Sequence, residues 1–303
     1  MTTPAPDPFR SGFVSVVGRP NVGKSTLVNR LVGDKVSIVS NRPQTTRTQV
    51  RGVRTTDATQ IVFLDTPGIH KPRTLLGERT NSRAVTTLDE VDVVCFLVDA
   101  SEPIGKGDRF VAELLAQVST PAVLVVNKID RVSRDRTLEQ LAAASGELGD
   151  FAAFVPLSAR DGDGADALTS ELETRLPEGP HYYPEGVVRD QPEAVLAAEL
   201  LREKLLAVAR DELPHSIMVT ADEMEERETK DGPLLAVRLV VRVERSSQKG
   251  IVIGRGGAVL RDAGTAARLE LEALLGTRVH LDTLVRVDRD WQRRASSLDR
   301  LGL

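Results

Sequence analysis

Short apolar runs alternate with amphipathic segments along the first 176 residues. Apolar runs of about four to eight residues bounded by polar turns are typical of buried strands, whereas apolar residues at three- and four-residue spacing indicate helices. The helical spacing is clearest at 106–118 and 137–148. Strands are predicted at 13–17, 48–55, 60–64, 91–98, 122–126 and 152–157. Strands that alternate with helices predict an α/β domain.

Two stretches without such spacing divide the chain. Residues 1–11 are rich in Pro and Thr and lack the apolar segment of a signal peptide, which predicts a disordered tail. Residues 177–191 are rich in Pro and Gly, which predicts a linker. Tyr182 and Tyr183 are candidates for holding this linker on a domain surface. The predicted organisation is a tail at 1–11, a domain at 12–176, a linker at 177–191 and a smaller domain at 192–303.

The smaller domain shows the order helix, strand, strand, helix, strand, which predicts an α+β fold. Residues 192–213 have an amphipathic helical pattern that begins with Pro-Glu, a favourable first turn. Residues 235–245 alternate between apolar and polar side chains, which predicts a half-buried strand with Arg238 and Arg242 on its polar face. Residues 279–287 alternate in the same way. The intervening helix carries one apolar stripe, made of Leu260, Ala263, Ala267, Leu271 and Leu274.

Composition narrows the functional classes. A net charge of −4 and a pI near 5.7 exclude an indiscriminate polycation, and 3% aromatic residues argue against aromatic stacking platforms for RNA. Cys95, the only cysteine, lies in an apolar run and predicts a core residue in a reducing, cytoplasmic protein. No run reaches the ~18 apolar residues of a membrane span, so membrane association is expected to be peripheral.

The sequence GRPNVGKS at residues 18–25 matches G-x-x-x-x-G-K-[ST], and it follows a predicted strand and precedes a helical segment. In such a loop the backbone N–H groups surround the β-phosphate of a nucleotide. The lysine, Lys24, reaches the β and γ oxygens, and the Ser25 hydroxyl binds Mg²⁺. The candidate nucleotide-binding residues here are Gly18, Asn21, Val22, Gly23, Lys24, Ser25 and Thr26.

The sequence NKID at residues 127–130 follows another apolar run and predicts the base specificity. The carboxylate of Asp130 can accept hydrogen bonds from guanine N1–H and the exocyclic amine, whereas adenine offers neither donor there. Specificity for GTP follows. Further along, residues 158–160 come after a predicted strand and can close over the base. The candidate guanine-binding residues are Asn127, Lys128, Asp130, Ser158, Ala159 and Arg160.

Two further elements predict a switch that responds to the γ-phosphate. DTPG at residues 65–68 ends a strand, where Asp65 would hold Mg²⁺ through water and the Gly68 N–H would contact the γ-phosphate. QTTR at residues 44–47 offers Thr45 and Thr46, of which we favour Thr46 as a magnesium ligand. The candidate catalytic residues are Lys24, Thr46 and Gly68, the candidate Mg²⁺ ligands are Ser25, Thr46 and Asp65, and the further nucleotide contacts are Thr66 and Pro67.

With these motifs, residues 12–176 resemble the Ras-like translation-factor GTPases, and the Era branch most closely. The resemblance implies a mostly parallel sheet with helices on both faces and a GTPase activity that needs Mg²⁺. Ras-type proteins place a water-orienting glutamine after the D-x-x-G glycine, but this chain has Ile69, so unassisted hydrolysis should be slow. Relatives with an apolar residue there often use K⁺ held by an asparagine that matches Asn21. The arginines that could act as a finger in cis are Arg19, Arg42 and Arg47, although such residues are more often solvated or contact a partner.

VIGRGG at residues 252–257 resembles the V-I-G-x-x-G signature of type II KH domains, whose G-x-x-G turn clamps about four nucleotides of single-stranded RNA. Only one of the two variable loop positions, Arg255, is basic. The candidate RNA-binding residues are Lys249, Ile253, Gly254, Arg255, Gly256 and Gly257. Further basic residues predicted around this face are Arg238, Arg242, Arg245, Arg261 and Arg268.

A Ras-like GTPase domain followed by a type II KH domain is the Era organisation. The resemblance implies a monomeric, GTP-dependent factor in assembly of the small (30S) ribosomal subunit and maturation of 16S rRNA, which binds the 3′ end of that RNA and contacts the cytoplasmic membrane peripherally. Two alternatives stay open. The chain could be an RNA-binding adaptor with a structural nucleotide, or a GTPase whose KH-like domain docks a protein or membrane partner.

Overall fold

The computed structural model describes residues 8–40, 42, 45–47, 49–69, 72, 74–208 and 216–303, apart from the side chain of Arg83. The chain divides into two compact units with the main boundary between Asp190 and Gln191. The short segments Ile38–Thr45 and Thr74–Leu76 belong to the second unit, and the rest of the chain before Gln191 belongs to the first.

The first unit is built around a six-stranded sheet with the strand order β2-β3-β1-β4-β5-β6. Among the described strands of this sheet, β2 and β3 form the one antiparallel pair. Its strands are β1 (Arg10–Val17), β2 (Val50–Thr55), β3 (Thr59–Asp65), β4 (Val93–Asp99), β5 (Ala122–Asn127) and β6 (Ala153–Leu157). Its helices are α1 (Lys24–Val32), α2 (Leu75–Thr86, whose first two residues are grouped with the second unit), α3 (Lys106–Leu115), α4 (Arg134–Leu148) and α5 (Ala165–Glu173).

Both faces of this sheet are buried. Every residue of β4 is buried, and its side chains alternate between two separate apolar clusters, with Cys95 in one and Phe96 in the other. A strand buried on both faces reads as a continuous apolar run, which is why the sequence predicted it without alternation. The predicted mostly parallel sheet with helices on both faces is confirmed.

The tail predicted at 1–11 is too long, because Arg10 and Ser11 form the start of β1. Apolar alternation begins only after them, and backbone pairing with β3 extends the strand. Residues 1–7 of the predicted tail lie outside the described residues, as does Thr48 of the strand predicted at 48–55.

The linker predicted at 177–191 packs on the first unit up to Asp190. The buried side-chain amide of Gln60 accepts hydrogen bonds from the backbone N–H groups of Tyr182 at 2.7 Å and Tyr183 at 2.9 Å. The Tyr183 hydroxyl donates to the Asp190 carboxylate at 2.7 Å. The segment also forms isolated β-bridges with Arg10 and Gly52.

The second unit contains α6 (Glu193–Val208), β7 (Met218–Thr229), β8 (Gly232–Val243), α7 (Ser246–Ile253), α8 (Ala258–Leu275), β9 (Arg278–Val287) and α9 (Ala295–Arg300). Its three-stranded sheet has the order β7-β8-β9, with β8 antiparallel to β7 and parallel to β9. Residues 209–213 of the helix predicted at 192–213 lie outside the described residues. The sequence pattern missed α7, because eight residues that include Gly250 show too little helical periodicity.

The core of the second unit lies between one face of the sheet and the helices. Leu239 and Val241 of β8 are fully buried there with Leu201 of α6 and Leu271 of α8. Arg238 and Arg242 alternate with these residues and therefore lie on the opposite face, as predicted. In the part of the chain that the structure describes, no helix is long and apolar enough to cross a membrane.

Candidate functional site

The predicted phosphate loop lies between the carboxyl end of β1 and the first turn of α1, where helix N–H groups lack intrahelical partners. Gly23 has φ of 103°, and a Cβ added there would lie 2.3 Å from the side-chain nitrogen of Asn127. Glycine is therefore required at this position. The buried Lys24 ammonium donates to the carbonyls of Gly18 at 3.1 Å and Arg19 at 3.0 Å.

Burial lowers the pKa of Lys24 from 10.5 to about 8, and the positive charge of Arg19 adds to this, while the Asp65 carboxylate opposes it. Desolvation disfavours the charged form of an ammonium group. Lys24 is therefore partly deprotonated at mildly alkaline pH. Neighbouring phosphate oxygens would favour its protonated, positively charged form.

We expect the affinity for GDP to fall as the pH rises from about 8 to 9. Phosphates raise the pKa of Lys24 in the complex, so binding above the free-protein pKa takes up a proton, and affinity falls by up to about tenfold per pH unit. Titration calorimetry at pH 8.5 in two buffers of different ionisation enthalpy measures that uptake directly. Lys24→Arg is the control, because the guanidinium of arginine does not titrate between pH 8 and 9. Any pH dependence that remains in this variant comes from the guanine base of GDP. A wild-type affinity that stays constant to pH 9 contradicts the expectation.

The three predicted magnesium ligands converge. The Ser25 and Thr46 hydroxyl oxygens are 3.0 Å apart, and the Thr46 hydroxyl donates to the Asp65 carboxylate at 3.4 Å. Burial raises the pKa of the Asp65 carboxyl, and its Oδ1 atom is buried without a hydrogen-bond partner. Such an orphaned carboxylate oxygen among hydroxyl groups fits a hard cation such as Mg²⁺.

The choice of Thr46 over Thr45 agrees with the side-chain geometry. The Thr45 hydroxyl is occupied by the carbonyl of Arg42, to which it donates at 2.6 Å. Gln44 of the same motif lies outside the described residues.

Residues 66–69 are anchored to the end of β1 and to the first residue of the phosphate loop. The Thr66 hydroxyl donates to the carbonyl of Val16 at 2.8 Å, and the backbone N–H of Ile69 donates to the carbonyl of Gly18 at 3.2 Å. Pro67 and Gly68 lie between these two anchors. The Ile69 side chain is fully buried in the apolar cluster above the sheet, so it does not orient a water molecule.

The predicted base-binding residues also meet. The Asn127 amide, 1% exposed, donates to the carbonyl of Val22 at 2.7 Å and accepts from the N–H of Ala159 at 2.9 Å. The Ser158 hydroxyl donates to the Asp130 carboxylate at 2.9 Å and thereby orients it. The exposed guanidinium of Arg160 lies 3.9 Å from the same carboxylate.

Two buried residues beside this site carry no sequence motif and were missed. The Asp99 carboxylate at the end of β4 lies 2.6 Å from the Lys128 ammonium, and Asp108 in α3 accepts a hydrogen bond from Arg19 at 3.0 Å. Glu102 also binds Arg19, at 2.6 Å, so Arg19 is not a free finger in this structure. The one available signal was that Asp99 ends an apolar strand, the position at which ligand sites of parallel sheets collect.

The second unit presents the GRGG sequence as a turn between α7 and α8. Gly254 has φ of 75°, and a Cβ added there would lie 2.5 Å from the side chain of Val259. Arg255 and Gly256 are exposed in the turn, with Lys249 and Ile253 on α7 before it and Gly257 at the start of α8.

A groove of about 430 Å³ lies in the second unit between α8 and β9 and reaches the turn at Gly257. A volume in this range suits a small ligand or an unstacked base. The groove has apolar, hydroxyl and basic groups along its walls, contributed by Leu260, Arg261, Thr265, Arg268, His280 and Thr283.

Two of the arginines predicted around the RNA face lie elsewhere. Arg238 is paired with Glu223 at 2.7 Å and Asp282 at 3.0 Å on the face of the sheet opposite the helices. Arg242, on that same face, lies 3.7 Å from Asp222. Sequence alternation placed both residues on a polar face, but it could not show which acidic residues of neighbouring strands would pair with them.

These features define a class, a P-loop guanine-nucleotide-binding protein joined to a KH domain. Residues 13–128 match the family described as 50S ribosome-binding GTPase, and residues 212–292 match the KH domain family. GTPase Era of Mycobacterium sp. (strain KMS) is 54% identical over 296 residues, which cover 97% of this chain and 99% of the relative. GTPase Era of Mycobacterium tuberculosis (strain ATCC 25177 / H37Ra) is 52% identical over 297 residues, with the same coverage. The chain belongs to the Era family of GTPases.

Two solved structures of the same family are similar over the whole chain. Era in complex with MgGDPNP and nucleotides 1506–1542 of 16S ribosomal RNA has a TM-score of 0.93 and 37% identity, and the match covers 97% of this chain and 99% of that one. An Aquifex aeolicus Era variant bound to GDP·AlF4⁻ has a TM-score of 0.92 with the same identity and coverage. The activity is therefore GTP hydrolysis, with GTP and GDP as nucleotides and Mg²⁺ as the metal.

Proposed function

We propose that this GTPase is a nucleotide-controlled RNA-binding factor that acts in assembly of the small (30S) ribosomal subunit and maturation of 16S rRNA. The observation that carries the proposal is the exposed GRGG turn, which opens onto a groove in a chain whose other unit assembles a guanine-nucleotide site. The similar Era that was solved with nucleotides 1506–1542 of 16S rRNA supports the 3′ end of that RNA as the ligand.

In the nucleotide complex, N–H groups from residues 18–26 surround the β-phosphate, and Lys24 exchanges the Gly18 and Arg19 carbonyls for phosphate oxygens. Asp130, oriented by Ser158, accepts the two guanine donors. Asn127 ties the base-binding loop to the phosphate loop through Val22 and Ala159, so both ends of the nucleotide site are held in register.

Ser25, Thr46 and Asp65 hold Mg²⁺ beside the β- and γ-phosphates. The metal neutralises charge that develops on the phosphate oxygens during transfer. A water molecule attacks the γ-phosphorus, and the bond to the β–γ bridging oxygen breaks with its electrons leaving on GDP. Because Ile69 is buried and apolar, another group must orient that water, and intrinsic turnover is slow. A K⁺ ion held by Asn21 stays a prediction, which equal turnover in K⁺ and Na⁺ buffers would rule out.

The switch works through the segments that carry Thr46 and Gly68. Thr46 is held by Ser25 and Asp65, and the residue after Gly68 is held by Gly18, so both segments respond to whatever occupies the phosphate loop. GTP orders them and favours the RNA-competent state, whereas hydrolysis releases them and lowers affinity for RNA.

In the second unit, the backbone at Gly254, Gly256 and Gly257 clamps the sugar-phosphate chain, with Arg255 and Lys249 as cations and Ile253 as apolar support for a base. The protein acts as a monomer in the cytoplasm. Peripheral contact with the cytoplasmic membrane stays a prediction of the family resemblance, and flotation with anionic vesicles tests it.

Anisotropy of a labelled single-stranded oligonucleotide from the 3′ end of 16S rRNA, measured with the intact chain and GDPNP, tests RNA recognition. A scrambled oligonucleotide of equal composition is the control. The proposal expects at least about tenfold tighter binding of the native sequence, because bases read individually contribute on the order of 1 kcal/mol or more each. Equal affinities would instead favour a KH-like domain that docks a protein or membrane.

The role in subunit assembly has its own readout. Purified 30S subunits should accelerate GTP turnover, because the chain itself offers no water-orienting group after Gly68. A rate that 30S subunits leave unchanged would contradict this role and favour an RNA-binding adaptor with a structural nucleotide.

A further inference from the structure

The loop from the end of β4 into the first turn of α3, residues 99–108, contains two buried carboxylates beside the phosphate loop. Asp99 is 3% exposed and Asp108 is 1% exposed. A buried carboxylate is costly unless charged or hydrogen-bonding groups satisfy it. We call residues 99–108 the bracing loop.

Asp108 connects the bracing loop to Arg19. Its Oδ2 atom accepts from the N–H of Gly105 at 2.9 Å and caps α3, while its Oδ1 atom accepts from the Arg19 guanidinium at 3.0 Å. The carbonyl of Arg19 is one of the two that hold the Lys24 ammonium. The position of Arg19 therefore helps to set where Lys24 lies.

Asp99 connects the bracing loop to Asn21. Its Oδ1 atom accepts two hydrogen bonds from Ser101, and its Oδ2 atom lies 2.6 Å from the Lys128 ammonium. The same ammonium donates to the carbonyl of Asn21 at 2.6 Å. Burial works against the charge of Asp99, but the hydrogen bonds from Lys128 and Ser101 outweigh it and lower its pKa below the ordinary value.

The contact between Lys128 and Asn21 joins two strained backbones. Both residues have left-handed φ angles, 68° and 66°, and Asp290 is the other non-glycine residue with a positive φ in the described part of the chain. Such conformations persist where the surroundings over-determine them. The bracing loop is itself fixed, because the buried Gln140 amide donates to the carbonyls of Asp99 at 3.3 Å and Glu102 at 2.9 Å.

We infer that Asp99 and Asp108 are positioning residues for nucleotide binding. Asp108 braces the phosphate loop through Arg19, and Asp99 braces it through Lys128, which contacts Asn21. Neither acts on the reacting atoms. Their effect is to hold the N–H groups and Lys24 in the arrangement that phosphates require. The inference rests on the proposed assignment of residues 18–26 as the phosphate-binding loop.

The test measures dissociation of a fluorescent GDP from the intact chain, together with single-turnover hydrolysis of saturating GTP. Asp108→Asn and Asp99→Asn keep the side-chain shape but remove the charge. Each should speed GDP release about tenfold, since a charge-assisted hydrogen bond to Arg19 or to Lys128 is weakened, while the single-turnover rate changes less than about twofold. Glu147→Gln is the matched control. It removes a charge from an exposed ion pair with Arg109 of α3, outside the bracing loop, and should change release less than about twofold.

A double-mutant cycle separates bracing from capping of α3. In an Arg19→Gln background, Asp108→Asn should have no further effect on GDP release, because the pathway through Arg19 is already lost. A full additional effect in that background would show that Asp108 acts only as a helix cap and would overturn its positioning role. If Asp108→Asn fails to fold by thermal melting, Arg19→Gln alone must still speed release, and an unchanged rate overturns the role equally.

A second double-mutant cycle tests Asp99. In a Lys128→Met background, Asp99→Asn should have no further effect on GDP release. Unchanged release from Asp99→Asn, or a full additional effect in that background, overturns its role. Failure of the wild-type chain to bind GDP with Lys24-dependent affinity would instead overturn the assignment of the phosphate loop. The two failures are therefore distinguishable.

Discussion

Replacing Asp130 with asparagine should convert this GTPase into an enzyme that prefers xanthine nucleotides. The Asp130 carboxylate accepts a hydrogen bond from the Ser158 hydroxyl at 2.9 Å, so it meets the base as an oriented acceptor. Guanine presents two donors to it. Xanthine keeps the N1–H group but has a carbonyl in place of the exocyclic amine, and an asparagine amide offers one acceptor and one donor that match this edge.

The expected loss of kcat/KM for GTP is on the order of 10⁴-fold, because a site built around hydrogen bonds rejects a partner that leaves its buried groups unpaired. The kcat/KM for XTP should rise in the same variant. Steady-state hydrolysis of GTP and of XTP measures this change in specificity. Asp150→Asn, in an exposed loop, is the control and should leave both values unchanged. A parallel loss for GTP and XTP would mean that Asp130 supports the fold rather than reading the base.

Replacing Gly254 with aspartate should abolish RNA binding and leave GTP hydrolysis intact. Gly254 has a φ of 75°, and a side chain there would collide with Val259 at 2.5 Å, so the turn must change shape. The new carboxylate also repels the RNA backbone that the turn contacts. Backbone strain of about 1–3 kcal/mol together with this repulsion predicts binding weaker by about 100-fold or more.

The control for this variant is Gly276→Asp. Gly276 also has a positive φ, of 65°, but it lies at the far end of α8, and nothing approaches its added Cβ within 4 Å. It introduces the same charge with less distortion, so RNA affinity should fall less than about threefold. Anisotropy of the 16S 3′-end oligonucleotide and GTP turnover are measured on both variants. Equal RNA binding by Gly254→Asp and the wild type would remove the GRGG turn from the RNA site.

The parts that could be predicted from sequence are those with a local physical signal. The GRPNVGKS loop, the DTPG and NKID elements and the doubly buried β4 each depend on a few neighbouring residues whose spacing defines their chemistry. Ser25 and Asp65 meet because β1 and β3 are parallel neighbours, and Thr46 joins them because it precedes β2, whose first residue pairs with Asp65 in the antiparallel β2–β3 ladder.

The features that were missed depend on contacts between distant residues. Asp108 lies 89 residues from Arg19 in sequence, and no sequence motif indicates that a carboxylate in α3 contacts the phosphate loop. The pairing of Arg238 with Asp282 is of the same kind, since strand alternation gives the face of a side chain but not its cross-strand partner. Packing of the linker includes hydrogen bonds to the buried side-chain amide of Gln60, which in sequence is an ordinary polar residue of a strand.

In the proposed function, the bound nucleotide controls engagement of RNA. The direct measurement is the affinity of the intact chain for the labelled 16S 3′-end oligonucleotide, determined once with Mg²⁺ and GDPNP and once with Mg²⁺ and GDP. A coupling of about 1–3 kcal/mol predicts binding about 5- to 150-fold tighter with GDPNP. Equal affinity in the two states would contradict nucleotide control of RNA binding, because the GTPase and the RNA-binding domain would then work independently.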